Sequence, residues 1–210
     1  INGGGSIEGT VTPSDRGDVI RITSGDAGAV MASAGIFDKG RGGSLDLTLV
    51  PRGPEGHFDG RASFSRMRVQ DAPALAELLS AVSVVGLLEQ LNGEGLVFNE
   101  ADAEFRLTPA GIEVTRGAAV GASMGVSMAG TYDIGSKRLN MQGVISPIYL
   151  LNGIGAVLTR RGEGLFGFNY EVRGTRDRAL VSVNPLSFLT PGMFRELFRR
   201  EPPRLESPNG

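Results

Sequence analysis

Apolar residues recur at every second position over most of this chain, the spacing that places them on one face of a β-strand. Ile7, Gly9 and Val11 alternate with Glu8 and Thr10, and Leu45, Leu47 and Leu49 alternate with Asp46 and Thr48. Phe58, Gly60, Ala62 and Phe64 continue the pattern, and the phase then slips by one residue to Met67 and Val69. Such a slip predicts a β-bulge or bend near Ser65. In the second half Ala103, Phe105 and Leu107 alternate with Asp102, Glu104 and Arg106. Ile112 and Val114 follow a Pro109–Gly111 turn, then come Met124, Val126 and Met128, then Leu139 and Met141. Phe166, Phe168, Tyr170 and Val172 form the last alternating run. The short links Asp133–Ser136 and Arg173–Arg178 read as hairpin connections. Together these segments predict a meandering antiparallel sheet.

A 3.6-residue period interrupts the strands. Leu75, Leu78, Leu79 and Val82 share one helical face, with Asp71 as the predicted N-cap and Pro73 in the first turn. Leu87, Leu88 and Leu91 extend that face past Gly86, a candidate break, and Gly93 is the predicted stop. A shorter helix is expected after Asp26, from Ala29 to Ala34. Others are expected near Ile148–Leu158 and after Thr190–Pro191, the last carrying Met193, Phe194, Leu197 and Phe198. The polar, Pro-rich residues 201–210 read as a disordered tail behind a single domain over 1–200.

Composition narrows the chemistry more than it identifies it. Of 210 residues, 32 are Gly, one is His, and there is no Cys or Trp. Disulfides, thiolate metal sites and a Cys nucleophile are thereby excluded. Net charge is −2, which gives no electrostatic ground for a nucleic-acid partner. Residues 162–167 match G-x-G-x-x-G, but a strand pattern follows where a dinucleotide site needs a helix. Glu100, Asp102 and Glu104 fall on one strand face, which reads as a solvated face rather than a cation site. His57 has no second metal-ligating partner in the pattern, and no nucleophile elbow is present. Arg16-Gly17-Asp18 reads as a turn. The run Leu139–Thr159 is uncharged, yet its Asn, Gln, Pro and Gly content argues against a membrane helix. No catalytic residue, metal or cofactor is predicted.

The order of several segments is more specific than any one motif. Asp26-Ala27-Gly28-Ala29 precedes Gly42-Gly43-Ser44-Leu45, and Asp71-Ala72-Pro73-Ala74-Leu75 precedes Leu91-Asn92-Gly93-Glu94-Gly95-Leu96-Val97-Phe98. Gly164-Leu165-Phe166, Tyr170-Glu171-Val172-Arg173-Gly174, Val183-Asn184-Pro185-Leu186-Ser187 and Pro191-Gly192-Met193 follow. This succession, over nearly all of residues 1–200, resembles the C-terminal region of the large AsmA-like, YhdP-like envelope proteins of Gram-negative bacteria. The resemblance implies a bridge-type lipid carrier, anchored in the inner membrane by an N-terminal helix and extending through the periplasm. It implies a curved sheet whose apolar groove moves phospholipid towards the outer membrane, without catalysis. The start at Ile1 is read as that of a fragment whose anchor lies upstream.

The fold expected is therefore α+β, mainly β: one curved antiparallel sheet, a partial barrel or groove, with a few short helices packed on it. Lipid-facing candidates are Phe105, Leu107, Met124, Val126, Met128, Phe166, Phe168 and Tyr170. Leu75, Leu78, Leu79 and Val82 are candidates for a helical cover. Arg195, Arg199 and Arg200, on a basic amphipathic helix, are candidates for headgroup contact. The expected partner is phospholipid or another acyl-chain lipid. The alternative expectation is a docking or assembly module at the outer membrane, with this region as a structural cap and an envelope protein as partner.

Overall fold

The structure, a computed structural model, describes residues 6–147, 167–175 and 178–184. It is mainly β, with one antiparallel 11-stranded sheet that curves without closing, and three short helices. The strands are β1 Ile7–Thr12, β2 Val19–Ser24, β3 Gly40–Arg41, β4 Ser44–Pro51, β5 Phe58–Val69 and β6 Leu96–Leu107. They continue as β7 Gly111–Gly121, β8 Met124–Asp133, β9 Arg138–Pro147, β10 Phe168–Thr175 and β11 Arg178–Asn184. The order across the sheet is β1-β2-β4-β5-β6-β7-β8-β9-β10-β11, with β3 paired to β5 to one side. Apart from that short strand, each strand pairs with the next in the chain, the meander that the alternation and its turn residues predicted.

The register shows how one apolar face arises. Leu45 pairs with Phe64 and Leu47 with Ala62. Gly60 pairs with Phe105, Ala119 with Val126, Val126 with Ile145, Phe168 with Ile145, and Val172 with Val181. Because side chains alternate, each pair directs its members to the same side. The phase slip falls where the sequence placed it. Arg66 takes a left-handed φ of 52° between Ser65 and Met67, and β6 skips Asn99 directly opposite, so Ser65↔Glu100 is followed by Met67↔Phe98. The paired irregularities keep Met67 and Val69 on the same face as Phe64. A further bulge at Thr115–Arg116 does the same for β7, with Val114 before it and Gly117 after it on that face.

Two glycines make room for rings on this face. A Cβ on Gly60 would sit 2.3 Å from the Phe105 ring, so that ring lies flat across β5. A Cβ on Gly143 would sit 1.8 Å from the Ser127 carbonyl oxygen and 2.9 Å from the Tyr170 hydroxyl. Its absence lets Tyr170 reach over β9 and donate a hydrogen bond to the Ser127 carbonyl on β8, at 2.8 Å. Gly143→Ala is therefore expected to destabilise the protein by about 1–3 kcal/mol through overpacking. Gly9→Ala on β1, where a methyl meets nothing within 4 Å, serves as the control and should shift the urea midpoint little.

All three helices leave from the same end of the sheet. Helix α1, Ala27–Ser33, follows β2, and its N-cap is Asp26, whose Oδ1 accepts from the Ala29 backbone N–H at 3.0 Å. The expected apolar helical segment, with Gly86 as its candidate break, is two helices, α2 Pro73–Ala81 and α3 Val85–Asn92, joined through Val82–Val84. The break lies at Ser83, with φ 57°, and not at Gly86, which sits inside α3. Asp71 is not the N-cap of α2. That position is Ala72 with no side-chain bond, and the helix starts instead on Pro73, whose missing N–H costs nothing there. Gly93 caps α3 as predicted. The expected helices near 148–158 and after 190, the glycine motif at 162–167 apart from Gly167, and the tail at 201–210 lie outside the described residues.

Helix α2 leaves the end of β5 and packs against α3 and against β11, six strands away along the sheet. Helix α3 packs against β6, and Ser123 in the β7–β8 turn donates to Gln90 of α3 at 3.5 Å. The helical pair thus bridges strands that the sheet's curvature brings round. Leu78, Leu79, Leu87 and Leu91 from the helices and Val84 from the link between them are buried in one cluster with Leu96, Phe98, Met124, Ile145 and Tyr170 from the strands. The opposite end, formed by the β4–β5, β6–β7, β8–β9 and β10–β11 connections, has no helix among the described residues.

Candidate functional site

The inner face is apolar from edge to edge but differs along the strands. At the helical end it is a dry core, where Met124 is 1% exposed and Leu79, Leu91 and Ile145 are fully buried. Towards the other end Leu107, Ile112, Val114, Leu139, Met141, Val172 and Val181 are half-buried, and Met128 is 43% exposed. Burial therefore grades from core to a partly uncovered apolar surface within single strands. Met128 overlies Gly117, whose Cβ position would be 2.9 Å from the Met128 side chain. A flexible thioether at the uncovered part adapts to variable neighbours.

Each sequence-predicted rail residue within the described range lies on this one face. Phe105, Val126 and Phe168 are half-buried and pack against the core, Leu107 is half-buried nearer the open end, and Met128 is the most uncovered. Met124 and Tyr170 are enclosed at the helical end. Burial pushes the Tyr170 hydroxyl well above its ordinary pKa, so it stays protonated and keeps its bond to Ser127. Of the cover candidates, Leu78 and Leu79 are buried, and Leu75 and Val82 are half-buried against the same cluster. Phe166, Arg195, Arg199 and Arg200 lie outside the described residues.

The outer face carries the polar half of the alternation. Arg21 donates from Nε to Asp46 Oδ1 at 3.0 Å, Arg61 from Nη2 to Glu104 Oε1 at 2.8 Å, and Ser63 to Asp102 at 2.7 Å. Hydrogen bonds from Arg21 hold the Asp46 carboxyl below its usual range. These exposed pairs contribute little stability individually. Their consequence is a charged surface behind an apolar one. Asp102 and Glu104 are engaged by Ser63 and Arg61, as on a solvated strand face. No cluster of metal-ligating side chains is present among the described residues. His57 lies in the β4–β5 turn with Nδ1 3.2 Å from the Glu55 carbonyl oxygen. Arg16-Gly17-Asp18 lies in the β1–β2 turn, closed by reciprocal Ser14–Gly17 backbone bonds.

Polar side chains at the open rim escaped the sequence reading. Arg138 begins β9, Arg173 is near the end of β10, and the pairings Asn140↔Arg173 and Leu139↔Gly174 bring the two strand ends together. The available signal was basic residues flanking predicted hairpin turns, which is common enough on surfaces to pass unremarked.

The fold and face define a class: an open, curved antiparallel sheet, helix-sealed at one end, with an apolar inner and a charged outer surface. Comparisons with protein families, curated proteins and solved structures returned no match. No described helix is long and apolar enough to cross a membrane.

Proposed function

We propose that this chain is a non-enzymatic carrier segment whose inner face shields lipid acyl chains from water. It would form part of a periplasmic, inner-membrane-anchored bridge moving phospholipid between the two membranes of a Gram-negative envelope. The observation that carries this reading is the uncovered apolar surface between the helical seal and the open strand ends. Each methylene moved from water onto such a surface gains about 0.8 kcal/mol. A face of Phe, Leu, Val and Met supplies that gain without fixing a single pose. The envelope setting rests on the sequence resemblance alone.

A second reading, a docking module, is favoured by strand β1. All six of its residues are exposed, with Ile7 at 60% and Val11 at 62%, and its outer edge is unpaired among the described residues. An edge without Pro or Lys is a template for another strand. One experiment separates the two. Photo-crosslinkers at Phe105, Val126, Phe168 and Val11 are introduced into the protein in cells, and adducts are identified by mass spectrometry. Phospholipid adducts at the three inner positions are the expected result. Adducts confined to one protein at Val11, with none at the inner positions, would replace transport with docking.

A further inference from the structure

The rows of the inner face run out through β1 to the edge of the sheet. Leu49, Ile20 and Val11 form one row, Leu47, Ile22 and Gly9 the next, and Leu45, Ser24 and Ile7 the third. Exposure rises outward along them: Leu45 is buried, Ile20 and Ile22 are half-buried, and Ile7 and Val11 are largely exposed. At the other side of the sheet, α2 packs against β11. No described element packs beyond β1. Edges that stay single carry Lys, Pro or a bulge. The β1 sequence, Ile-Glu-Gly-Thr-Val-Thr, has none of these, and its register to β2 is unbroken.

We propose that β1 is a self-association edge, which pairs antiparallel with β1 of a second copy of this chain about a two-fold axis at Gly9. A two-fold axis perpendicular to the sheet keeps inner face with inner face, so a residue of β1 must lie opposite its own counterpart. That leaves few registers. Centring on Glu8 sets two carboxylates directly against each other, which is unfavourable. Centring on Thr10 brings Pro13, which has no N–H, opposite Ile7. Centring on Gly9 avoids both. Ile7 then faces Val11 of the second copy and Val11 faces Ile7, on the inner side, as β-branched cross-strand pairs. Glu8 faces Thr10 on the outer side, in a row that continues to Arg21 on β2. The apolar rows pass without interruption from one copy to the other, and the two exposed side chains become interior positions of a longer sheet. The inference goes beyond the acyl-carrier reading and does not depend on it.

The chain has no Cys, so single introduced thiols report the register. Cross-strand partners lie about 4.5–5.5 Å apart at Cα, within disulfide range. Gly9→Cys, where a Cβ meets nothing within 4 Å, is introduced into the protein in cells, a membrane-permeant oxidant is added, and products are resolved without reductant and identified by mass spectrometry. The expected result is a disulfide between two copies. Differently tagged copies carrying Ile7→Cys and Val11→Cys should link to each other. Each alone should link to itself roughly tenfold less, because like positions are then about 14 Å apart along the strands and out of disulfide reach. Leu180→Cys on β11, 75% exposed, measures random collision. Adding Val11→Lys to Gly9→Cys should reduce its disulfide to that collision level. Its melting temperature should stay within a few degrees of wild type because Val11 is exposed. Gly9→Cys at the collision level, self-linking of Ile7→Cys as efficient as the mixed pair, or no effect of Val11→Lys would each overturn the self-pairing. A Gly9→Cys disulfide to a different protein would replace the second copy with that partner and overturn it as well.

Discussion

Truncating Leu79 to alanine is expected to cost about 2–5 kcal/mol and to lower the melting temperature by roughly 5–15 °C for a chain of this size. Leu79 is fully buried on the helix that meets both α3 and β11. Its loss leaves a cavity where the middle of the chain packs against the last described strand. Val85→Ala is the matched control. Val85 begins α3 but is 64% exposed, so its truncation should change stability by about 0.5 kcal/mol or less. Urea unfolding followed by circular dichroism measures both. Equal midpoints for the two variants would show that the helices contribute nothing to holding the curved sheet.

Placing a charge at the uncovered part of the inner face should separate lipid association from folding. Met128→Glu is expected to reduce co-purifying phospholipid by about thirty-fold, with little change in melting temperature. A carboxylate there displaces two or three methylenes from apolar contact, worth roughly 2 kcal/mol in total, and a factor of ten corresponds to about 1.4 kcal/mol. Because Met128 is 43% exposed, the new carboxylate reaches water in the lipid-free protein. Ala118→Glu, at an exposed position of β7 facing the other way, should leave retained lipid unchanged. Phosphorus or mass-spectrometric quantification of organic extracts is the readout. Unchanged lipid in Met128→Glu would mean that acyl chains do not use this surface.

The two variants probe different ends of the same strands, and the distinction bears on what this face does. A carrier surface must be apolar yet incompletely covered, whereas a core must be apolar and sealed. Met124 and Met128 lie four residues apart on β8, on the same face, and differ from 1% to 43% in exposure. Residue type does not separate them. Position relative to the helical seal does.

Much of the local structure was legible because it depends on neighbours in sequence. Alternation assigned the strand faces, since a period of two is a property of the extended backbone. The slip after Phe64 announced the irregularity at Arg66, because a one-residue insertion moves every later side chain to the other side. Asp26 announced the start of α1, because an N-cap bonds only three residues onward. The misplaced start of α2 and the missed break at Ser83 show the limit of the same reasoning. Both turn on a non-glycine residue held at positive φ, which side-chain type does not disclose.

What the sequence by itself determined is thus a meandering sheet with one apolar face, and the identity of the residues on that face. Only the tertiary structure decided which of them are sealed and which uncovered. Curvature brings β11 to α2, glycines at 60 and 143 admit the rings of Phe105 and Tyr170, and two strand ends place Arg138 beside Arg173. Each of these joins residues far apart in the chain, and periodicity carries information about direction from the backbone but none about distance across the fold.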